Sequence, residues 1–354
     1  MVSKSSSYIK HYNNFNLIRL FAALQVLVVH VYNHFEVSNL FVVALKGIPG
    51  VPLFFFISGF LITKTYVKKK SLGDIAYFIN RAIRIFPALF LCVVITLLAV
   101  LATGYLKDKD ASWLHIGLWT LGQATFGQVY NPDFMRGFGV GVINGALWTI
   151  LVELQFYVLT PILFSLFNKV KSVFWLIFMA SIVINVAFRL GLMEQIPYNQ
   201  FVYVSFLPWV FMFMVGFLMA VRPDFQEKVK RIPLLAILAA YVVTMLLVGE
   251  YEFNAMNSIN PISAILLGLL IFRLAYVNLR IPKFLRSFTD RNDISYGIYI
   301  YHMPIINFLL FYGIFQFEMN FLVTVLLAVI FAFLSWKLLE QPLLKYKKST
   351  TKQS

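Results

Sequence analysis

The chain has 354 residues, of which 60% are hydrophobic and 13% charged, with a formal net charge of +15. A soluble domain is nearer half apolar and a quarter charged, so a water-soluble module is excluded and a polytopic membrane protein is expected. A single cysteine excludes a disulfide framework and a cysteine-based zinc site, and no metal is expected. The basic surplus lies between apolar runs, where it sets orientation; no nucleic-acid partner is implied.

In chain order, apolar runs long enough to cross a bilayer lie near 15–35, 43–63, 86–106, 145–167, 173–192, 203–221, 233–250, 261–278, 295–315 and 321–340. The first is too long for a signal peptide and no A-x-A-like cleavage site follows it, so it counts as a span. The segment 113–127, WLHIGLWTLGQATFG, is short and holds Gly117, Gly122, Gln123 and Thr125. Charge decides its place. If it does not cross, one side collects Lys4, Lys10, Lys64, Lys68, Lys69, Lys70, Arg81, Arg84, Lys169, Lys171, Arg222, Lys228, Lys230, Arg231, Arg280, Lys283, Arg286, Arg291 and the basic tail, while the other carries only Lys46, Lys107, Lys109 and Arg136. The positive-inside rule therefore predicts an all-α polytopic membrane protein with about ten transmembrane helices and both termini cytosolic. It is read as a single integral-membrane domain over 1–346, with a long outer loop at about 107–142 and a polar, basic cytosolic tail at 347–354.

Part of the outer loop is expected to lie on or dip into the outer interface. Its Trp113, His115, Trp119, Tyr130, Asn131, Asp133, Phe134 and Arg136 suit a sugar-binding face and equally an interfacial aromatic belt.

Ionisable residues fall within or at the ends of these spans: Arg19, His30, Glu153, Arg189, Arg273, His302, Lys337 and Glu340. A charge at helix centre costs roughly 2.5–3.5 kcal/mol on insertion scales. Arg189, Arg273 and Lys337 lie near span ends and can snorkel. Glu153 has a short side chain and must be paired, protonated or beside water. Arg19 and His30 stand eleven residues apart, which at ~100° per residue puts them on one helix face about 16 Å apart. Taken alone, Arg19 reads as an inner-end anchor, and His30 reads as a packing or interface residue as readily as a chemical group. His302 suits core packing or a hydrogen bond as well as catalysis. Tyr157, Tyr296 and Tyr301 are possible hydrogen-bond donors.

NLIRLFAALQVLVVH (16–30) resembles the first-helix signature of the acyltransferase-3 family of integral-membrane acyltransferases: an arginine, ten residues, a histidine. Further blocks follow in the family's order. GVPLFFFISGFLITK (50–64) resembles its second-helix block, NRAIRIFPALF (80–90) its Arg-x-x-Arg motif, and ALWTILVELQFYVLTPIL (146–163) its glutamate-centred block. SYGIYIYHMPI (295–305) and SWKLLEQPLLKY (335–346) resemble the late blocks. The resemblance covers nearly the whole chain. It departs at Pro52, where many members have an acidic residue, and at Leu154, where many have a second glutamate. Many relatives also carry an extracytoplasmic esterase-like domain after the last helix. This chain stops soon after Glu340 and is read as the stand-alone form.

The resemblance implies transfer of an acyl group, usually acetyl, from cytosolic acetyl-CoA or another acyl-CoA to a hydroxyl of an extracytoplasmic acceptor. The acceptor expected is a surface glycan or its lipid-linked precursor, in a multi-pass protein of the bacterial inner membrane, in contact with membrane lipid. His30 is expected to be the general base, or a transient acyl carrier, with Glu153 orienting or charging it and Arg19 holding the donor or balancing charge. Arg81 and Arg84, three residues apart, are expected to bind the donor's phosphates. His302 and Tyr157 are possible supporting residues. The alternatives are the same chemistry on a small molecule or lipid, a glycan or lipid transporter, and a non-catalytic membrane partner. A transporter of two related halves would show internal symmetry, and none is visible in the sequence.

Overall fold

The computed structural model describes residues 13–247, 259–314 and 316–346. Lys4, Lys10 and the basic tail at 347–354 lie outside them. The described residues form helices and no strand. In order these are α1 (Phe15–His34), α2 (Leu40–Lys46), α3 (Gly50–Lys69), α4 (Asp74–Ala102), α5 (Trp113–Gln123), α6 (Leu147–Lys169), α7 (Lys171–Arg189), α8 (Asn199–Tyr203), α9 (Val210–Val221), α10 (Pro223–Arg231), α11 (Leu234–Leu247), α12 (Pro261–Ala275), α13 (Lys283–Arg291), α14 (Ser295–Phe311) and α15 (Phe317–Ser335). A π-helical turn, Trp336–Glu340, carries α15 onward to residue 346.

Among the described residues, six helices are long and apolar enough to cross a membrane, and eight if each of two bent pairs is one span. The pairs are α10–α11, bent by 86° at Pro233, and α13–α14, bent by 84° at residues 292–294. Proline at 233 disfavours helical backbone at Ile232, which accounts for the first bend. The helices α9 and α12 are apolar but shorter. Several bounds differ from the sequence expectation. The third span begins at Asp74, so Arg81 and Arg84 lie inside α4 and not in a loop. The run 203–221 is helical mainly over α9. The helix α5 has 11 residues, about 16 Å, and is too short to span about 30 Å of hydrocarbon by itself.

The helix α14 is buried nearly all round, from Ser295 to Leu309, and packs between α1 and α15. Such all-round burial marks a central helix. The helices α3 and α9 approach backbone to backbone. A side chain at Gly59 would collide with the Phe213 carbonyl, and one at Gly216 with the Phe56 carbonyl. Small residues let two helices meet where lipid offers no hydrophobic drive.

Prolines inside the spans free carbonyls that other helices then use. Pro304 leaves the Ile300 carbonyl without its usual intrahelical donor, and Asn144 Nδ2 donates to it at 2.8 Å. Pro161 does the same to the Tyr157 carbonyl, which accepts the Tyr77 hydroxyl at 3.1 Å. Buried Gln25 pins the break between α2 and α3, accepting from Gly50 N at 2.8 Å and donating to the Leu45 carbonyl at 3.0 Å.

The long connection between α4 and α6 folds back over the bundle end. Asn307 of α14 lashes it down. Its Nδ2 donates to the Val142 and Ile143 carbonyls at 3.0 Å, and its Oδ1 accepts from Val140 N at 2.7 Å. Within that connection α5 buries Ile116, Trp119 and Gln123 and exposes Trp113, Leu114, Leu118 and Leu121.

Candidate functional site

An ionic knot ties four segments at the basic end of the bundle. Asp293, in the non-helical corner between α13 and α14, takes Arg19 Nη1 of α1 at 2.6 Å on Oδ2. The same oxygen takes Arg84 of α4. Its other oxygen accepts from Ser295 Oγ at 2.8 Å. Arg84 also lies 3.8 Å from Glu340 in the π-turn, whose other oxygen accepts from Ser335 Oγ at 3.2 Å. Burial favours protonation of the Asp293 carboxyl, but the Arg19 and Arg84 charges outweigh it and hold the group well below the usual carboxylate range. A single carboxylate thus neutralises much of the charge of two guanidiniums where burial would otherwise make both costly.

Arg81, one turn from Arg84, stands apart from this knot. Its guanidinium lies over the Tyr157 ring at 5.7 Å and the Tyr77 ring at 6.0 Å. Its Nε is buried with no hydrogen-bond partner. Arg19, Arg81 and Arg84 line one narrow cavity of about 90 Å³ together with Ser58, Thr149, Glu153, Tyr157, Tyr296 and Tyr299.

Further along α1, His30 Nδ1 meets His302 Nε2 of α14 at 2.8 Å. His302 is fully buried, and its Nδ1 lies 3.3 Å from the Ile298 carbonyl. A carbonyl only accepts, so His302 Nδ1 carries the hydrogen and Nε2 is the acceptor. His30 Nδ1 must then donate to it, which makes His30 Nε2 the basic nitrogen. His30 lines a second, larger cavity of about 730 Å³ at the loop end, with Asn33, His34, Gln128, Asn144, Trp148 and Tyr203 among its walls. The Trp148 and Tyr203 rings meet there at 4.9 Å, tilted by 39°.

The sequence expectations fare differently. Arg19 lies on the wall of one cavity and His30 on the wall of the other, in keeping with their shared helix face. Glu153 does not stand where expected. It lines the arginine cavity, and its Oε1 accepts from Tyr157 at 2.8 Å and Ser58 at 3.4 Å, while the ring against His30 belongs to His302. Glu153 and His30 line different cavities, and the side chain hydrogen-bonded to His30 Nδ1 is that of His302. Arg81 and Arg84 share a helix face, but Arg84 is committed to Asp293 and Glu340. Asp293 and Ser58 went unread. An acidic residue just ahead of an apolar run is a helix-start signal, and it was available at Asp293.

Residues 12–340 match the model of the acyltransferase domain family. Nodulation protein 10 of Rhizobium leguminosarum bv. viciae is 34% identical, over 96% of this chain and 95% of its own length. An O-acetyl transferase of Shigella phage Sf6 is 27% identical, over 93% of this chain and 95% of its own length. The O-acetyltransferase OatA of Staphylococcus aureus strain NCTC 8325 is 24% identical over 93% of this chain, which spans 56% of the OatA length. No solved structure matches the chain.

Proposed function

The chain belongs to the acyltransferase-3 family of membrane acyltransferases, and from that premise we propose that it is an O-acetyltransferase acting across a bacterial cytoplasmic membrane. Its donor is acetyl-CoA, or another acyl-CoA, arriving at the basic end. Its acceptor is a hydroxyl of a cell-surface glycan or its lipid-linked precursor, arriving at the loop end. Ten crossings with cytosolic termini fit this reading. Six long helices, two bent pairs and the shorter α9 and α12 coincide with the ten apolar runs of the sequence, and basic loops crowd one side.

One observation carries the proposal. A cavity walled by arginines and a cavity walled by His30, amides and the paired Trp148 and Tyr203 rings adjoin inside one bundle. Guanidiniums suit the phosphates of a large anionic donor. Arg81 is the first choice, because its Nε has no partner and its charge is not taken by Asp293. Arg19 and Arg84 hold α1, α4 and α14 in register around the donor arm. Aromatic faces and amides suit a sugar.

In the reaction, His30 Nε2 takes the proton of the acceptor hydroxyl. The oxygen attacks the thioester carbon, the carbon–sulfur bond breaks, and the proton ends on the CoA sulfur. His302 accepts from His30 Nδ1–H throughout and keeps Nε2 basic and aimed. Glu153 holds Tyr157, over whose ring the Arg81 guanidinium lies.

The test is His30→Ala and Arg81→Ala, each produced in membranes with acetyl-CoA and glycan, with base-released acetate measured. General-base loss lowers transfer by about 10²-fold or more. Wild-type transfer from abundant His30→Ala protein refutes the base assignment. Absence of acetyl-CoA consumption by the wild type refutes the enzyme reading and favours a transporter.

A further inference from the structure

The arginine cavity and the His30 cavity share two wall residues, Val51 and Tyr299. Tyr299 is buried, 4% exposed, and its ring is fixed on three sides. Its hydroxyl meets Thr149 Oγ1 at 2.7 Å. Thr149 itself donates to the Ala146 carbonyl at 3.1 Å, so the tyrosine O–H donates to the threonine oxygen. The ring stands edge-on to Phe54 at 5.4 Å and to the His302 imidazole at 5.9 Å. Phe54 and Thr149 belong to the arginine cavity, whereas His302 holds the imidazole of the other. One ring therefore abuts both halves of the site.

This position has a chemical consequence. A thioester carbon is open to water as well as to an alcohol. The His30 cavity is roomy and has Gln25, Asn33, His34, Gln128 and Asn144 on its wall, and anything between it and the donor decides which nucleophile arrives. We propose that Tyr299, anchored by Thr149, is the barrier that keeps water in the His30 cavity from the thioester until the acceptor alcohol is seated. It sets the partition between transfer and hydrolysis. The inference rests on the acyl-CoA reading above. In the uncoupled reaction the water oxygen bonds to the acyl carbon, the carbon–sulfur bond breaks and the sulfur takes a proton. The products are the free acid and the CoA thiol.

Two measurements test it, one independent of activity. In a Cys92→Ala background, Ser58→Cys places a thiol in the arginine cavity, and a membrane-impermeant thiol reagent is applied from the loop side. With Tyr299 present, labelling is slow; with Tyr299→Ala it rises at least tenfold, while labelling from the basic side is unchanged and reports an intact fold. Equal loop-side rates in the two backgrounds overturn the barrier. The second measurement compares acetyl-CoA hydrolysis without acceptor in the wild type, Tyr299→Ala and Tyr299→Phe. The ratio of hydrolysis to transfer rises about tenfold for the alanine variant. It rises about threefold for phenylalanine, which keeps the ring but loses the Thr149 anchor. An unchanged ratio in both variants overturns the partition. A wild-type protein that consumes no acetyl-CoA overturns the acyltransfer reading instead, and the labelling result still reports on the wall.

Discussion

His302 stands one hydrogen bond behind His30, Nε2 to Nδ1 at 2.8 Å, across 272 residues of sequence. The His302 Nδ1 contact with the Ile298 carbonyl orders both tautomers and directs the basic His30 nitrogen away from α14. His302→Ala removes the acceptor of the His30 N–H. The expected result is a fall in kcat of about 10²-fold with KM for acyl-CoA nearly unchanged. His302→Gln, which restores a side-chain acceptor, recovers part of the loss. Wild-type kcat in His302→Ala would leave the pair with a packing role only.

The arginines of α4 separate by the same reasoning. Arg81→Ala is expected to raise KM for acyl-CoA about tenfold, the equivalent of one lost charge-assisted contact, with little change in thermal stability. Arg84→Ala strands Asp293 beside Arg19 alone and lowers stability by on the order of 3 kcal/mol, as breaking a buried pair does. Adding Asp293→Ala to Arg84→Ala should cost less than the two single losses together. Melting curves in detergent and donor titrations check both halves. The assignment fails if Arg81→Ala melts early and Arg84→Ala does not.

Gly59 and Gly216 bring α3 against α9 with backbone touching backbone. Gly59→Ala puts a methyl group on the Phe213 carbonyl and must push the helices apart. A loss of about 1–3 kcal/mol is expected, the usual cost of overpacking, seen as earlier melting. An unchanged melting temperature would mean that the two helices separate without penalty.

Sidedness is checked with single cysteines, because the only native one, Cys92, is buried in α4. In a Cys92→Ala background, an impermeant maleimide outside intact cells should label Lys109→Cys in the α4–α6 connection. It should label Ser71→Cys, between α3 and α4, only after permeabilisation. Labelling of both from one side would contradict the proposed topology.

The sequence by itself determined the class of molecule and its orientation signal. Apolar runs of membrane length follow from the bilayer's thickness, and the crowding of lysine and arginine into alternate loops follows from the cost of translocating charge. It also put Arg19 and His30 on one face, since helical periodicity relates residues within a helix without reference to anything else. Periodicity is silent on which helices become neighbours. Only the tertiary structure turned α14 toward α1, gave His30 the ring of His302 in place of the Glu153 carboxylate, and brought Asp293 to two arginines from different helices. It likewise brought Tyr299 of α14 to the wall between two cavities. The reason is that interhelical packing in lipid is decided by close backbone approach at small residues and by pairing of buried polar groups. Those are relations between distant segments that no local pattern records.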